Sequence, residues 1–184
     1  MIDFIKNYTK NVCNQPNNLL SPYFFNEHII VVSEYAERLS NLLNGDIEIV
    51  KISSYLHDIS AILDIKTLAT HNIDSSGIAE SILFQNNYPG TKIERIKQCI
   101  IKHSLPLKIE DGSIEEVCLS NADAISQIVN PSFWLYFSFK VRGLDYIAAK
   151  TWYLNKIDSN WNLLIEPAKK LVEEKYSLVK KALE

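Results

Sequence analysis

Apolar residues recur three and four apart along most of the chain, the spacing that keeps them on one face of an α-helix. Ile2, Phe4, Ile5, Tyr8 and Val12 predict a short docking helix, followed by a polar loop at 14–18. Ser21-Pro22 reads as an N-cap with proline at the first helical position. The apolar positions from Phe24 to Leu43 then predict an amphipathic helix with His28 on or beside its apolar face. Gly45 suits the stop of that helix and Asp46 the cap of the next. Ile47, Ile49, Val50, Ile52, Tyr55, Leu56 and Ile59 fill this second helix, which carries His57 and Asp58 near its end. Residues 60–74 are less periodic, which places His71 on a loop, and Ser75 or Ser76 is expected to cap a helix through Phe84.

Tyr88-Pro89-Gly90 is a turn signal. Ile93, Ile96, Cys99, Ile100 and Ile101 form the stripe of the next helix, which ends around His103-Ser104 because Pro106 blocks continuation. After a turn at 109–112, Ile114 to Val129 predicts a helix with Asp123 midway. Beyond Pro131 the pattern predicts a long aromatic-rich helix from Phe133 to about Ile157. A final helix over about 159–183 contains Pro167, which should kink or interrupt it. No strand-like alternation competes with this pattern, so the expected fold is all-α. The expected organisation is one domain over 1–184, with a core of about 22–130 and C-terminal helices of about 131–184 packed on it.

Composition narrows the class. A chain of 184 residues with 47% apolar and 22% charged residues suits one soluble globular domain. A net charge of −3 gives no electrostatic case for general nucleic-acid binding. No run of about 18 apolar residues suggests a membrane span, and the first residues lack the basic lead of a signal peptide. Cys13, Cys99 and Cys118 show no CxxC spacing. They read as reduced thiols of a cytoplasmic protein.

The histidines change the picture most. His28, His57, His71 and His103 are all that the chain has, and His57 is followed directly by Asp58. Imidazole nitrogen and carboxylate oxygen both ligate divalent metals. Neighbouring side chains on a helix diverge by about 100°, so further ligands must converge from elsewhere. Taken singly, a histidine on an apolar face is more often a hydrogen-bonded core residue than a ligand. Asp123 stands out because Ser120 to Gln127 brings it no basic neighbour. A buried carboxylate needs a cation or several donors.

The order His28, His57-Asp58, Asp123 resembles the signature of the HD-domain superfamily of metal-dependent phosphohydrolases. Ile100-Ile101-Lys102-His103-Ser104 looks like that family's "AI..Hs" stretch, and Asn121-Ala122-Asp123 looks like its "DAD" stretch. His71 and His103 fall where many members carry two more histidines. The resemblance runs from about Asn26 to Ile128 and more weakly into the last helix. Two departures are visible: Ser60-Ala61 follow where many relatives have Gly-Lys, and Asn121 replaces the first Asp of "DAD".

The resemblance implies a helical HD-type fold in which His28, His57, Asp58 and Asp123 hold a divalent ion (Mn, Mg, Fe, Co or Zn). His71 and His103 could complete a second site with Asp58 bridging, contact a phosphate, or serve as acid and base. The implied function is hydrolysis of a small phosphoester or phosphoanhydride such as a nucleotide, with Asp58, His71, His103 and Lys102 as catalytic candidates. Lys102 is the first candidate for a phosphate-binding cation, ahead of Arg95, Lys97, Lys140 and Arg142. Glu27 and Glu34 could act behind His28. The Phe133–Phe137 cluster is expected to be core, and a ring facing the cleft would favour a nucleoside substrate. Two other readings share the ligand set: a di-iron oxygenase of the same fold, and a non-catalytic ligand-sensing module.

Overall fold

The computed structural model describes residues 1–183, among which no strand occurs. The helices in order are α1 (Ile2–Cys13), α2 (Ile30–Leu43), α3 (Ile47–Leu56), α4 (Ile59–Leu63), α5 (His71–Gln85), α6 (Gly90–Lys102), α7 (Ile114–Val129), α8 (Pro131–Lys140), α9 (Tyr146–Leu163) and α10 (Glu166–Leu183). A π-helical segment, Phe25–Ile29, leads directly into α2, and 3₁₀ turns occupy Ile65–Ala69 and Ile109–Asp111. The fold is all-α, as the spacing predicts. No described helix is long and apolar enough to cross a membrane.

The core is built round α7. Every residue from Glu115 to Ile128 is buried, and α2, α3, α6, α9 and α10 all pack against this helix. Ser113 and Glu116 start it with a reciprocal capping box, which satisfies two of the orphan donors of the first turn. A helix covered on all sides has no solvated face for a charge, so Asp123 is held in the interior by the fold itself.

Several boundaries differ from the sequence expectation, each for a local reason. The doublet does not ride inside one helix: α3 stops at Leu56, His57 is its C-cap, and Asp58 (φ −110°, ψ 11°) opens α4. His71 is not on a loop but is the first residue of α5, four residues ahead of the expected Ser75 cap. Thr70 secures that start by accepting from the Asp74 amide and donating its hydroxyl to the Asp74 carboxylate. The expected helix from Phe133 to Ile157 is broken into α8 and α9. Gly143 adopts φ 66° at the break, a conformation that suits glycine, and Leu144 N–H closes the end of α8 on Ser138 O at 3.1 Å. Pro167 kinks nothing, since it lies in the first turn of α10, where its missing N–H has no intrahelical partner to lose. At the end of α2 it is Asn44, with φ 60°, that takes the left-handed position. Gly45 is required by proximity: a Cβ there would stand 2.8 Å from Ser40 Oγ and 2.9 Å from an Ile114 methyl.

A polar clamp beside Gly45 joins three ligand-bearing helices. Glu115 of α7 accepts from the Asp46 N–H at 2.9 Å and from Arg95 of α6 at 3.1 Å. Asp46 caps α3 by accepting from Glu48 and Ile49 N–H. Burial opposes ionisation of Glu115, but the Asp46 amide and the Arg95 guanidinium hold its carboxyl below the usual range. Glu115→Gln should therefore destabilise the fold by about 1–3 kcal/mol at pH 7. A carboxyl with a lowered folded pKa contributes fully above its unfolded value, about 4.3, and loses that contribution as pH falls through the folded value. Urea melts of the two proteins should differ at pH 7 and converge near pH 3. An equal gap at both pH values would remove the charge from the explanation.

Candidate metal centre

Five of the six candidate ligands come from element ends or irregular turns. His28 lies in the π-helical segment, His57 and Asp58 at the α3–α4 junction, His71 at the start of α5, and His103 at the C-cap of α6. Asp123 alone sits mid-helix, on α7. Such ends leave backbone carbonyls without helical partners, and the histidines use them. His57 Nδ1 bonds Ser54 O at 2.7 Å, His71 Nδ1 bonds Leu68 O at 2.8 Å, and His103 Nδ1 bonds Ile100 O at 2.6 Å. In each case the carbonyl is three residues back. His28 Nδ1 meets Ser126 Oγ at 2.9 Å, and that hydroxyl donates in turn to Asp123 O at 2.7 Å.

A carbonyl oxygen can only accept, so the proton of each ring is drawn to Nδ1 and the Nε2 lone pair is turned inward. All four Nε2 atoms converge on Asp58. Its Oδ2 lies 3.1 Å from His28 Nε2 and 3.3 Å from His57 Nε2. Its Oδ1 lies 3.3 Å from His71 Nε2 and 3.7 Å from His103 Nε2. Asp123 Oδ1 approaches the first pair, 3.4 Å from His28 Nε2 and 3.9 Å from His57 Nε2. Within the pairs, Nε2 atoms stand 3.0 Å apart for His28 and His57 and 3.1 Å apart for His71 and His103.

Acceptor facing acceptor at such distances is repulsive unless a cation or proton lies between them. Metal–ligand bonds of about 2.0–2.2 Å bring neighbouring ligands on one ion to about 3 Å apart, the spacing seen here. The donors therefore fit a divalent metal, and they do so in two groups that share one carboxylate: His28, His57 and Asp58, and Asp58, His71 and His103. Electrostatics agree. Burial pushes the His57 imidazole towards its neutral form, the form that ligates. Burial would also raise Asp58, but the facing histidines, His57 foremost, hold its carboxyl well below the usual range. At His103 burial works against the proton, yet the Asp58 oxygen outweighs it and the net shift is upward. A proton on His103 is thus the alternative to a cation at that position.

Further residues hold this arrangement in place. Asn72 on the first turn of α5 donates to Ile101 O at 2.7 Å, which ties the start of α5 to the end of α6 and so sets His71 beside His103. Gln127 donates to Asp123 Oδ2 at 3.2 Å and accepts from Asn160 of α9 at 3.0 Å. Trp134 meets His28 edge-on, with ring centres 5.3 Å apart, and its indole N–H bonds Ser126 O at 3.2 Å.

A cleft of about 270 Å³ opens onto the cluster, with His28, Asp58, His71, His103 and Asp123 in its wall. Ser104, Gln127, Trp134, Phe137, Arg142 and Lys156 also line it. Lys102 does not: its ammonium is bound to Glu116 at 2.8 Å, because its side chain leaves α6 about 100° round from that of His103. Arg95 belongs to the α3–α7 clamp, Lys97 pairs with Glu80 and Glu94, and Lys140 is absent from the cleft wall. The cations that do reach the cleft are Arg142, foreseen only as a lesser candidate, and Lys156, not foreseen at all. Glu34 is exposed and Glu27 lines a separate groove with Tyr23 and Phe133. Of the aromatic cluster, Trp134 and Phe137 face the cleft although both are largely buried.

A family model described as "HD domain" matches residues 25–128. No curated protein sequence matches the chain. Among solved structures, Bacillus subtilis YpgQ in complex with ADP superposes with a TM-score of 0.73 at 17% identity, covering 100% of this chain and 94% of that one. A further structure of Bacillus subtilis YpgQ gives 0.74 at 19% identity, with 99% and 91% covered. A predicted HD superfamily hydrolase from an uncultured Thermotogales bacterium gives 0.69 at 18% identity, with 98% and 88% covered.

Proposed function

Because the chain belongs to the HD-domain family, whose model spans residues 25–128, we propose that it is a divalent-metal-dependent phosphohydrolase acting on a small phosphoester or phosphoanhydride. The observation that carries this is the position of Asp58, whose two oxygens each face a separate pair of Nε2 lone pairs. His28, His57, Asp58 and Asp123 would hold one ion. Asp58, His71 and His103 would hold a second. When bound, a divalent metal supplies a Lewis acid for the phosphoryl oxygen and lowers the pKa of a ligated water towards neutrality.

The protein's own contribution is orientation and charge. The Ser54, Leu68 and Ile100 carbonyls fix three imidazole rings, and the Gln127 amide fixes Asp123. His71, with about a fifth of its side chain exposed, is the most solvent-accessible of the four histidines, so the second ion would lie on the open side of the cluster. A nucleotide is the substrate we favour: Trp134 and Phe137 offer ring surface in the cleft wall, and one structural neighbour is in complex with ADP. The two clusters bridged by Asp58 would suit a di-iron oxygenase equally in geometry, so metal identity separates the two chemistries.

Elemental analysis of the purified protein should find one or two divalent ions per chain. Chelation should abolish phosphate release from a panel of nucleotides and sugar phosphates, and Mn²⁺, Mg²⁺, Co²⁺, Zn²⁺ or Fe²⁺ added back should restore it. Iron with oxygen consumption and no phosphate release would replace the hydrolase by the oxygenase. A protein that binds no divalent metal would end both.

A further inference from the structure

The residues of the cleft that lie outside the family match add a charge pattern of their own. Arg142 follows α8 and Lys156 lies on α9, both beyond residue 128, and both line the cleft that holds the histidines. Neither is paired with a carboxylate of the described residues. Arg142 instead lays its guanidinium on the Trp152 ring, 5.0 Å from the centroid. Lys156 is half-buried, and its ammonium makes no hydrogen bond or ion pair with the described residues. A lysine whose stem is half-buried in the cleft wall and whose ammonium no carboxylate neutralises offers a fixed positive charge to an arriving anion.

The placement says which anion. Asn160 touches Gln127, which touches Asp123; Lys156 is one turn earlier on the same face of α9, about 6 Å along the axis. Both carboxylates of the cleft, Asp58 and Asp123, belong to the histidine cluster, while both cations come from α8–α9. The reacting phosphoryl group belongs at the histidine cluster. A substrate with one phosphate would therefore leave Arg142 and Lys156 unanswered.

We infer that Arg142 and Lys156 form a subsite for a second phosphate, so that the substrate is a diphosphate or longer phosphoanhydride rather than a monoester. This rests on the phosphohydrolase reading above and deepens it. The chemistry recognised is a pair of linked phosphates, whether carried by a nucleoside or free. Arg142 grips oxygens with its planar fork, braced by Trp152, and Lys156 adds a point charge.

The test uses binding, so it does not depend on turnover. The full chain loaded with Mn²⁺ is dialysed against methylenediphosphonate, which has two linked phosphonates and resists hydrolysis, or against methylphosphonate, which has one. Bound manganese is measured in the same chamber. Wild type should bind the diphosphonate at least about tenfold tighter than the monophosphonate. Lys156→Met and Arg142→Met should each weaken diphosphonate binding by about tenfold or more, with methylphosphonate affinity and manganese content unchanged. Arg142→Lys keeps the charge but not the fork, and should fall between. Adenosine 5′-(α,β-methylene)diphosphate is the last arm: added affinity over methylenediphosphonate assigns the diphosphate to a nucleotide, and equal affinity to the free anion, both supporting the subsite. Variants that bind the diphosphonate as wild type does, or a wild type that does not prefer it, would overturn the inference. Selective binding without hydrolysis of any phosphoanhydride would sink the catalytic reading and leave the subsite standing.

Discussion

Asp58→Asn should lower metal-supported phosphate release by on the order of 10³-fold or more while leaving the helices folded. The size follows from what the carboxylate does: a metal contributes several kcal/mol of transition-state charge stabilisation, and each 1.36 kcal/mol is about tenfold in rate. Asparagine keeps the shape and one carbonyl oxygen, so it can serve at most one of the two groups now served by Oδ1 and Oδ2. Its NH₂ would face the other group and repel a cation. Without metal the loss is smaller but keeps its sign. The NH₂ can donate to an Nε2 lone pair, yet the facing histidines hold the Asp58 carboxylate ionised in the apo fold, and the neutral amide forfeits that contribution at pH 7. The apo variant should melt below apo wild type, and wild type alone should gain further stability on adding Mn²⁺, by about 2.7 kcal/mol at a hundred times its Kd. Thermal melts with and without chelator, run beside turnover assays, check both halves. Wild-type turnover in the variant would remove Asp58, and with it the metal-centred mechanism.

The asymmetry between ligands and cleft cations also explains what the sequence made legible. The apolar stripes mark the buried faces of most helices, and a caps-and-breakers reading finds Asp46 and the turn before Gly90. The histidines were conspicuous because the chain has few of them and one is joined to an aspartate. Their mutual arrangement was less visible, because it depends on breaks within apolar runs. The spacing from Ile47 to Ile59 continues through the His57–Asp58 junction without a gap, so α3 and α4 read as one helix. The π turn before α2 adds a residue to one turn without altering composition. In the last third, only residues 141–145 separate α8 from α9, and a periodicity spread over both hid the turn that brings Arg142 into the cleft. Adjacency misled at Lys102, since a residue beside His103 in sequence points to Glu116 in space. Lys156 gave no local signal. Its place follows from Asn160 meeting Gln127 across two helices, a contact over 33 residues.

Replacing His71 and His103 together by alanine should remove about one equivalent of metal and leave the other bound. The two rings form a unit: their Nε2 atoms are 3.1 Å apart, and both look at Asp58 Oδ1 rather than Oδ2. The His28–His57–Asp123 group has its own supports in Ser126, the Ser54 carbonyl and Gln127, none of which the substitutions touch. Turnover should fall on the order of 10²–10³-fold, since one of two charges opposing the phosphoryl oxygens is lost. Stability should fall as well in the apo protein at mildly acidic pH. His103 is raised above its ordinary pKa by Asp58, so its proton stabilises the apo fold below the unfolded value, about 6.5, and that contribution disappears as pH rises through the folded value. The double variant should thus be less stable than wild type at pH 6 without metal, and the gap should narrow towards pH 9. Metal counting decides among the roles. Unchanged metal content with lost activity would make the pair a phosphate or proton-transfer site, and unchanged activity would reduce both to parts of the core.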